Sequence, residues 1–215
     1  MNKMKILAGI FLFGSLWGFS ECIIGSALSN IGLASGAIMT GFFALSYLVI
    51  SRIFYKQPGM QLGMGVIAGT LRLFNPFTGC HICSALAIMA EGALFEIIWY
   101  KISYDLKELN TVTMQVSMGI LTSYIVYVGG YIITQILTPI ISGPGFYIEN
   151  LIALMPNIFS SGLLPALIGA AVLPGIILIK KVDLTLKDRL YYPTTIGISI
   201  FCWFIVIVSW FFIRT

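Results

Sequence analysis

Charged residues are scarce in this sequence, and that scarcity excludes most classes of soluble protein. Only 9% of the residues are charged while 59% are hydrophobic, and the mean hydropathy is +0.99. A soluble domain carries about a quarter of its residues as charged side chains. Most of this surface must therefore face lipid. The 215 residues predict an all-α integral membrane protein with one transmembrane domain over 1–215 and the lipid bilayer as its main partner.

Histidine is nearly absent, and several familiar motifs are missing. The chain has one histidine and shows no nucleotide-binding motif, internal repeat or low-complexity tract. An intramembrane metalloprotease needs at least two histidine-like ligands, so that class is disfavoured. The net charge of +4 is explained by membrane topology and does not indicate a nucleic-acid partner. Four cysteines in a long apolar chain do not form the disulfide framework of a small secreted domain.

Long apolar runs predict a bundle of six to seven transmembrane helices, since a spanning helix needs about 20 apolar residues. The predicted helices lie near 5–28, 33–54, 60–75, 83–102, 112–141, 151–180 and 191–213. The first continues past Ile24 without a cleavage site, which favours a retained helix over a signal peptide. The third is short and ends before Pro76. Segment 151–180 is interrupted by prolines and glycines, so one span and a re-entrant piece followed by a span both remain open.

Lysine and arginine predict the orientation of the bundle. With the N-terminus inside, ten of the twelve cationic residues fall at inner ends or loops, and only Arg214 lies outside. Arg72 lies within a span. Because cytoplasmic loops carry the excess of positive charge, we expect an N-terminus in the cytoplasm and a multi-pass location in the inner (cytoplasmic) membrane. This orientation puts Cys80 and Cys83 on the outer side.

Three ionisable side chains fall inside predicted helices and away from their cytoplasmic ends, where charge is costly and usually marks function. They are Glu21, Arg72 and Glu91 on the first, third and fourth helices. Glu96, closer to the cytoplasmic end of the fourth helix, points well away from Glu91. We expect the three to meet in one pocket open to the outside, with Asn75 and His81 also contacting the ligand. Two carboxylates against one cation leave surplus negative charge, unless desolvation protonates one acid. Such a pocket favours a cationic or hydrogen-bond-donating ligand, a metal ion or a proton, and the alternative is an ion-pair lock between helices.

Glycines lie on the same helix faces as two of these charges. Small residues three or four positions apart let a neighbouring helix approach closely. The glycines are Gly14, Gly18 and Gly25 beside Glu21, and Gly65 and Gly69 beside Arg72. We therefore expect these charges on tightly packed faces rather than toward lipid.

The segment Cys80-His81-Ile82-Cys83 admits three interpretations. Thiolates and imidazole bind zinc, copper, nickel or cobalt, so Cys22, Cys80, His81 and Cys83 are candidate ligands for a transition-metal ion. Alternatively, Cys80 and Cys83 form a disulfide or a thiol relay. In the third interpretation, small semi-polar residues simply cap the fourth helix. The residues alone leave these interpretations open.

Two resemblances accompany these patterns. Leu16-Trp17-Gly18-Phe19-Ser20-Glu21, Leu71-Arg72-Leu73 and Ala85-Leu86-Ala87-Ile88-Met89-Ala90-Glu91 resemble a group of small prokaryotic polytopic membrane proteins of unassigned function. More loosely, the chain resembles the substrate-binding S components of energy-coupling factor transporters, including cobalt and nickel members. This second resemblance implies binding of a vitamin or metal ion from outside, and docking on transmembrane and ATPase partner subunits. It implies a docking face of small residues four apart, such as Gly14 and Gly18 or Gly65 and Gly69.

Three functions fit these observations. The first is a solute-uptake protein that binds a small molecule or ion in an outward-facing pocket and takes its energy from partner subunits. The second is a membrane-embedded thiol-redox or metal-dependent enzyme that uses Cys80, His81 and Cys83. The third is a non-catalytic membrane partner in which the charges only hold helices together. We favour the first, because a lock explains Arg72 with one glutamate but not the second glutamate.

Overall fold

The computed structural model describes residues 3–75, 80–101, 109–142, 148–179 and 188–214, and every regular element in these ranges is helical. We number the helices in chain order. They are α1 (Lys3–Asn30), α2 (Ser35–Tyr55), α3 (Met60–Leu73), α4 (His81–Lys101), α5 (Val112–Ser142), α6 (Ile148–Ser161), α7 (Leu163–Ile179) and α8 (Asp188–Arg214). All seven predicted segments coincide with helices, and segment 151–180 divides at Gly162 into α6 and α7.

Six helical segments of the described chain are long and apolar enough to cross a membrane. They are α1, α2, α4, α5, α8 and the consecutive pair α6 and α7. By length and composition the chain is a multi-pass membrane protein. The third predicted span is the exception, because α3 has 14 residues and is about 21 Å long. A bilayer core is about 30 Å thick, so α3 is too short to cross it unaided.

The outer surface of the bundle is apolar, as contact with lipid requires. On α8, large side chains including Phe201, Phe204 and Phe212 are exposed. Trp203 on the same helix turns inward, and its indole nitrogen donates to Ser15 Oγ of α1 at 3.1 Å. One face of α8 is therefore attached to α1 while the others remain available to lipid.

Short α3 lies between α1 and α4 because glycines remove side chains from both contacts. A Cβ atom at Gly18 would lie 3.0 Å from Ala68 Cα, and one at Gly14 would lie 2.7 Å from a side chain of α3. On the opposite side of α3, a Cβ atom at Gly69 would lie 2.8 Å from a carbonyl oxygen of α4. Gly65 approaches α4 in the same way. Backbones at this spacing gain close van der Waals contact.

This packing corrects one expectation drawn from the resemblance to S components. Gly14 and Gly18 are buried against α3, and Gly65 and Gly69 are buried against α4. Neither pair is exposed for a partner subunit in this structure. Periodicity identified the tightly packed helix faces, but it did not show that the neighbouring helix belongs to the same chain.

One end of the bundle brings together the cationic ends of α1 and α2. Arg52 near the end of α2 donates from Nη2 to the carbonyl oxygen of Trp99 at 2.7 Å, and its guanidinium lies 4.0 Å from the ring centroid of Tyr100. Lys5 of α1 lies 5.8 Å from the ring centroid of Tyr191 at the start of α8. This end of the bundle therefore carries both the charge and the interfacial aromatics expected of a membrane boundary.

Glu96, the remaining acid of α4, is also at this end and caps another helix. Its carboxylate accepts hydrogen bonds from the backbone N–H groups of Gly59 and Leu62, the latter at 3.0 Å. These donors belong to the first turn of α3 or precede it, where the helix has no carbonyl partners for them. A carboxylate there also interacts favourably with the helix dipole. Glu96 thus fixes the start of α3.

Removal of this cap should destabilise the fold measurably. We expect Glu96→Ala to lower the free energy of unfolding by about 1–2 kcal/mol, the usual value for losing an N-terminal cap. Denaturation in mixed micelles, followed by tryptophan fluorescence, measures the change. Glu149→Ala is the control, because Glu149 is exposed in the first turn of α6. Equal stability of Glu96→Ala and the control would contradict a capping role.

Candidate functional site

A cavity of about 310 Å³ lies among five helices, at the opposite end of α4 from Arg52. It receives all three charged residues that the sequence analysis singled out. The lining residues are Glu21 and Gly25 of α1; Ser35, Gly36, Met39 and Thr40 of α2; Arg72 of α3; Cys83, Ser84, Ala87, Ile88 and Glu91 of α4; and Tyr127, Tyr131, Thr134 and Gln135 of α5. Most of these lining residues carry polar side chains, although the bundle around them is apolar.

Glu91 is the most deeply placed charge of the cavity, with 6% of its surface exposed. Its Oε1 accepts a hydrogen bond from the Thr40 hydroxyl at 2.6 Å. Its Oε2 is buried and has no hydrogen-bond partner. A buried polar atom without a partner costs free energy unless a ligand or water satisfies it. The second oxygen of Glu91 is therefore the strongest single indication of a binding site.

Thr40 reaches Glu91 from an unusual stretch of backbone. Residues Met39–Ala44 of α2 form a π-helix, a conformation that is rare and often occurs at functional sites. Gly41 in this stretch packs closely on α7, since a Cβ atom there would lie 2.9 Å from Pro165. In this π-helix, adjacent residues contact two different helices: Thr40 bonds Glu91 of α4, and Gly41 packs on α7.

Glycine also brings α5 up to Glu91. A Cβ atom at Gly130 would lie 3.2 Å from Glu91 Cγ. Gly130 follows Tyr127 by three residues and precedes Thr134 by four, so all three share one face of α5. Without a side chain at Gly130, this polar face can close against the carboxylate and complete the cavity wall.

Arg72 is held by the backbone and not by a carboxylate. Its Nη1 donates to the backbone carbonyl oxygen of Glu21 at 2.7 Å. Within the described residues its guanidinium forms no ion pair with Glu21 or Glu91, and its buried Nε has no hydrogen-bond partner. The arginine therefore ties α3 to α1 while leaving both carboxylates to the cavity.

With all three charged side chains ionised, the formal charge of the wall is negative. Two carboxylates and one guanidinium line the cavity, which gives −1 when all three are ionised. Cys83 also lines the cavity, but it is oxidised in a disulfide and adds no charge. In a low-dielectric surrounding an uncompensated negative charge attracts a cation strongly. The electrostatics favour a ligand with at least one positive or hydrogen-bond-donating group.

Sequence analysis missed the wall that α5 contributes. Tyr127, Tyr131, Thr134 and Gln135 all face the cavity. Tyr127, Tyr131 and Thr134 are four and three residues apart, and Gln135 follows Thr134. This spacing places polar residues on one side of an otherwise apolar helix, a pattern that the sequence contains. Thr40 and Ser84 carry no comparable signal, because single hydroxyl residues are common in membrane helices.

Asn75 and His81, predicted to bind ligand, lie outside the cavity lining. Asn75 is buried, and its Oδ1 accepts a hydrogen bond from Ser26 Oγ at 3.4 Å, which joins the end of α3 to α1. His81 is half-buried as the first residue of α4. Proximity in sequence to Arg72 and Cys83 suggested contact with the ligand, but neither Asn75 nor His81 lines the cavity.

The predicted metal site is not assembled. Cys80 and Cys83 form a disulfide, so neither supplies the thiolate that metal binding requires. Cys22 is buried, and its Sγ lies 3.6 Å from the carbonyl oxygen of Leu71. In the described ranges no group of three or more His, Cys, Asp and Glu side chains is close enough to hold a metal ion. The geometry favours the disulfide among the interpretations left open.

Comparisons with known proteins add no relative to this picture. No family model matches the chain, and neither curated proteins nor solved structures show significant similarity to it.

Proposed function

We propose that this protein is a solute-uptake component that binds a small cationic or hydrogen-bond-donating ligand in the cavity among α1–α5. Glu91 and Glu21 contact the positive or donor group of the ligand. Arg72 holds the Glu21 backbone and presents its remaining N–H groups to any acidic group of the ligand. The aromatic faces of Tyr127 and Tyr131 support a cation through its attraction to their rings.

The buried, unpartnered Oε2 of Glu91 is the observation that carries this proposal. Thr40 holds one oxygen of the carboxylate, and the other has no hydrogen-bond partner among the described residues. The cavity volume of about 310 Å³ lies at the small end of the usual range of about 300–1,000 Å³ for ligand pockets. A small polar ligand fits this combination better than a lipid or a large cofactor.

A purely structural lock accounts for the geometry less well. A lock requires Arg72 to pair with a carboxylate, because an ion pair compensates the desolvation of both partners. Instead Arg72 bonds a backbone carbonyl oxygen, and no ion pair joins it to Glu21 or Glu91 among the residues described. The charges thus surround a space rather than neutralise one another.

We place the protein in the inner (cytoplasmic) membrane of the cell, with its N-terminus in the cytoplasm. The cluster around Lys5 and Arg52 then lies at the inner face, where positive charge is favoured. The cavity, nearer the other ends of α1, α4 and α5, then opens toward the outside. Because the chain shows no nucleotide-binding motif, ATP-driven uptake would depend on transmembrane and ATPase partner subunits.

Ligand-induced stabilisation tests the proposal. Purified protein is heated in detergent micelles with ammonium compounds, amino acids, guanidinium compounds and divalent cations, and unfolding is followed by tryptophan fluorescence. A ligand at 100 times its Kd stabilises the folded state by about 2.7 kcal/mol, which raises Tm by several degrees. We expect one of these classes to do so, and Glu21→Gln and Arg72→Ala to abolish the shift while remaining folded.

Glu149→Gln provides the matched control. It makes the same chemical change as Glu21→Gln at an exposed position outside the cavity, so its ligand-induced shift should equal that of the wild type. An unchanged shift in both Glu21→Gln and Arg72→Ala would refute ligand binding at this site. So would the absence of any shift, combined with native mass spectra that show no co-purified small molecule or metal.

A further inference from the structure

The disulfide between Cys80 and Cys83 joins the exterior of the bundle to the cavity wall. Cys80 is exposed, whereas Cys83 is half-buried and lines the cavity beside Ser84. The bridge spans a sequence separation of 3, at the point where α4 begins. The two sulfurs thus lie on a path from the surrounding medium to the ligand site.

A structural staple explains this bridge poorly. The stabilisation that a disulfide supplies through the unfolded chain grows with the length of the loop it closes. A separation of 3 residues closes one of the shortest loops available. The first turn of α4 is also held by Ser84, whose backbone N–H and hydroxyl both donate to the Cys80 carbonyl oxygen, at 3.1 and 3.0 Å. The helix start is therefore secured without the bridge.

The surroundings of Cys80 suit exchange chemistry. The backbone N–H of Cys83 donates to Cys80 Sγ at 3.2 Å, and the positive end of the 21-residue helix α4 lies beside this sulfur. Both features stabilise negative charge on a sulfur atom. The Cα atoms are 5.3 Å apart. Residues three positions apart at a helix start are neighbours, so the backbone keeps the two cysteines close whether or not they are bonded.

We propose that Cys80 and Cys83 form a thiol–disulfide exchange site at the outer face, which accepts two electrons from a dithiol. One thiolate of the dithiol attacks the exposed Cys80 Sγ, the S–S bond breaks, and Cys83 leaves as a thiolate. The second thiol then attacks its own sulfur in the mixed disulfide and releases Cys80. The dithiol becomes a disulfide, and its two protons are taken up by the two cysteines.

The placement of the four cysteines assigns the order of these steps. Cys80 is exposed, and an incoming thiolate must align with the S–S bond, so Cys80 is the sulfur that can be attacked from the medium. Cys83, which lines the cavity, is then the leaving thiolate of the first step. Cys22 and Cys202 are buried and free, which leaves them out of the exchange and makes them internal controls.

Counting labelled thiols tests the site. Aerobically purified protein is treated with dithiothreitol in detergent micelles, quenched with acid, unfolded and labelled with a polyethylene glycol maleimide. We expect two labels before treatment, from Cys22 and Cys202, and four afterwards. Four labels before treatment would overturn the proposal, because the pair would then already be reduced. Two labels after treatment of the folded protein would also overturn it, if four appear only when the protein is unfolded in the presence of dithiothreitol. On intact cells treated with dithiothreitol, a membrane-impermeant maleimide should label this pair; labelling only after permeabilisation would also overturn it.

Single variants test the order of attack. In Cys83→Ser the remaining Cys80 thiol should form a mixed disulfide with Ellman's reagent about tenfold faster, or more, than the Cys83 thiol does in Cys80→Ser. Equal rates would overturn the assignment. Unreactive Cys22 and Cys202 report that each variant is folded. Glu149→Gln, at an exposed position outside the cavity, should exchange at the wild-type rate. Exchange is measured without ligand, so the exchange site and the proposed ligand site are tested separately.

Discussion

Glu91→Gln should weaken ligand binding by about 30-fold to more than 1,000-fold, which corresponds to the 2–5 kcal/mol lost with a buried charged partner. The glutamine keeps the length of the side chain. Its amide oxygen can still accept the hydrogen bond that Thr40 donates at 2.6 Å. What disappears is the negative charge on the atom that lies buried without a partner. Affinity is measured by calorimetry with whichever probe stabilises the wild type.

The same variant should be as stable as the wild type without ligand, or more stable. An ionised group buried without compensation destabilises a fold, and its replacement by a neutral group of similar shape is often neutral or stabilising. A binding residue therefore loses affinity and keeps stability, whereas a structural lock loses stability. Destabilisation by more than about 2 kcal/mol, on the scale of a broken buried pair, combined with unchanged affinity, would contradict the binding role.

Thr40→Val separates the charge of Glu91 from its positioning. This variant removes the hydroxyl that donates to Oε1 and leaves the carboxylate ionisable. We expect a loss of affinity of about tenfold, the value of one hydrogen bond to a charged group. The loss should be smaller than that of Glu91→Gln. A larger loss would mean that Thr40 itself contacts the ligand.

The sequence alone was sufficient for the helices and for the charged centre of the cavity. In a chain with so few charges, apolar runs of about 20 residues form membrane-spanning helices. The positions of these runs therefore predict the positions of the helices. Glu21, Arg72 and Glu91 were found because charges inside spans are rare and face the bundle interior. For Glu21 and Arg72, glycine spacing correctly indicated a helix face turned toward neighbouring helices rather than lipid, which requires only the period of a helix.

Features that depend on how helices meet were not predictable. The π-helix at Met39–Ala44 depends on contacts with α4 and α7, and leaves no period in the sequence. His81 and Asn75 are close in sequence to residues of the cavity wall, but neither lines the cavity. A short distance in the sequence suggested that these residues are near the site, but it does not determine the direction of their side chains.

Gly119→Ala should be the most destabilising of the small substitutions considered, because α5 and α7 meet there backbone to backbone. A Cβ atom at Gly119 would lie 2.2 Å from the carbonyl oxygen of Gly169, and one at Gly169 would lie 2.0 Å from Ser123 Oγ. A carbonyl oxygen inside a helix cannot rotate away, so the helices must separate. We expect a loss of about 3 kcal/mol, the upper part of the range for overpacked cores, measured by denaturation in mixed micelles.

Gly197→Ala is the matched control on α8. A Cβ atom at Gly197 would meet nothing within 4 Å, so only the gain in helix propensity of about 1 kcal/mol applies there. Alanine brings the same gain at Gly119, and the difference between the two variants therefore isolates the clash. Separation of α5 from α7 would also displace Tyr127 and Tyr131 from the cavity, so Gly119→Ala should lose ligand-induced stabilisation as well. Equal stability of the two variants would contradict the close contact of α5 with α7. It would also contradict the position of the part of the cavity wall that α5 contributes.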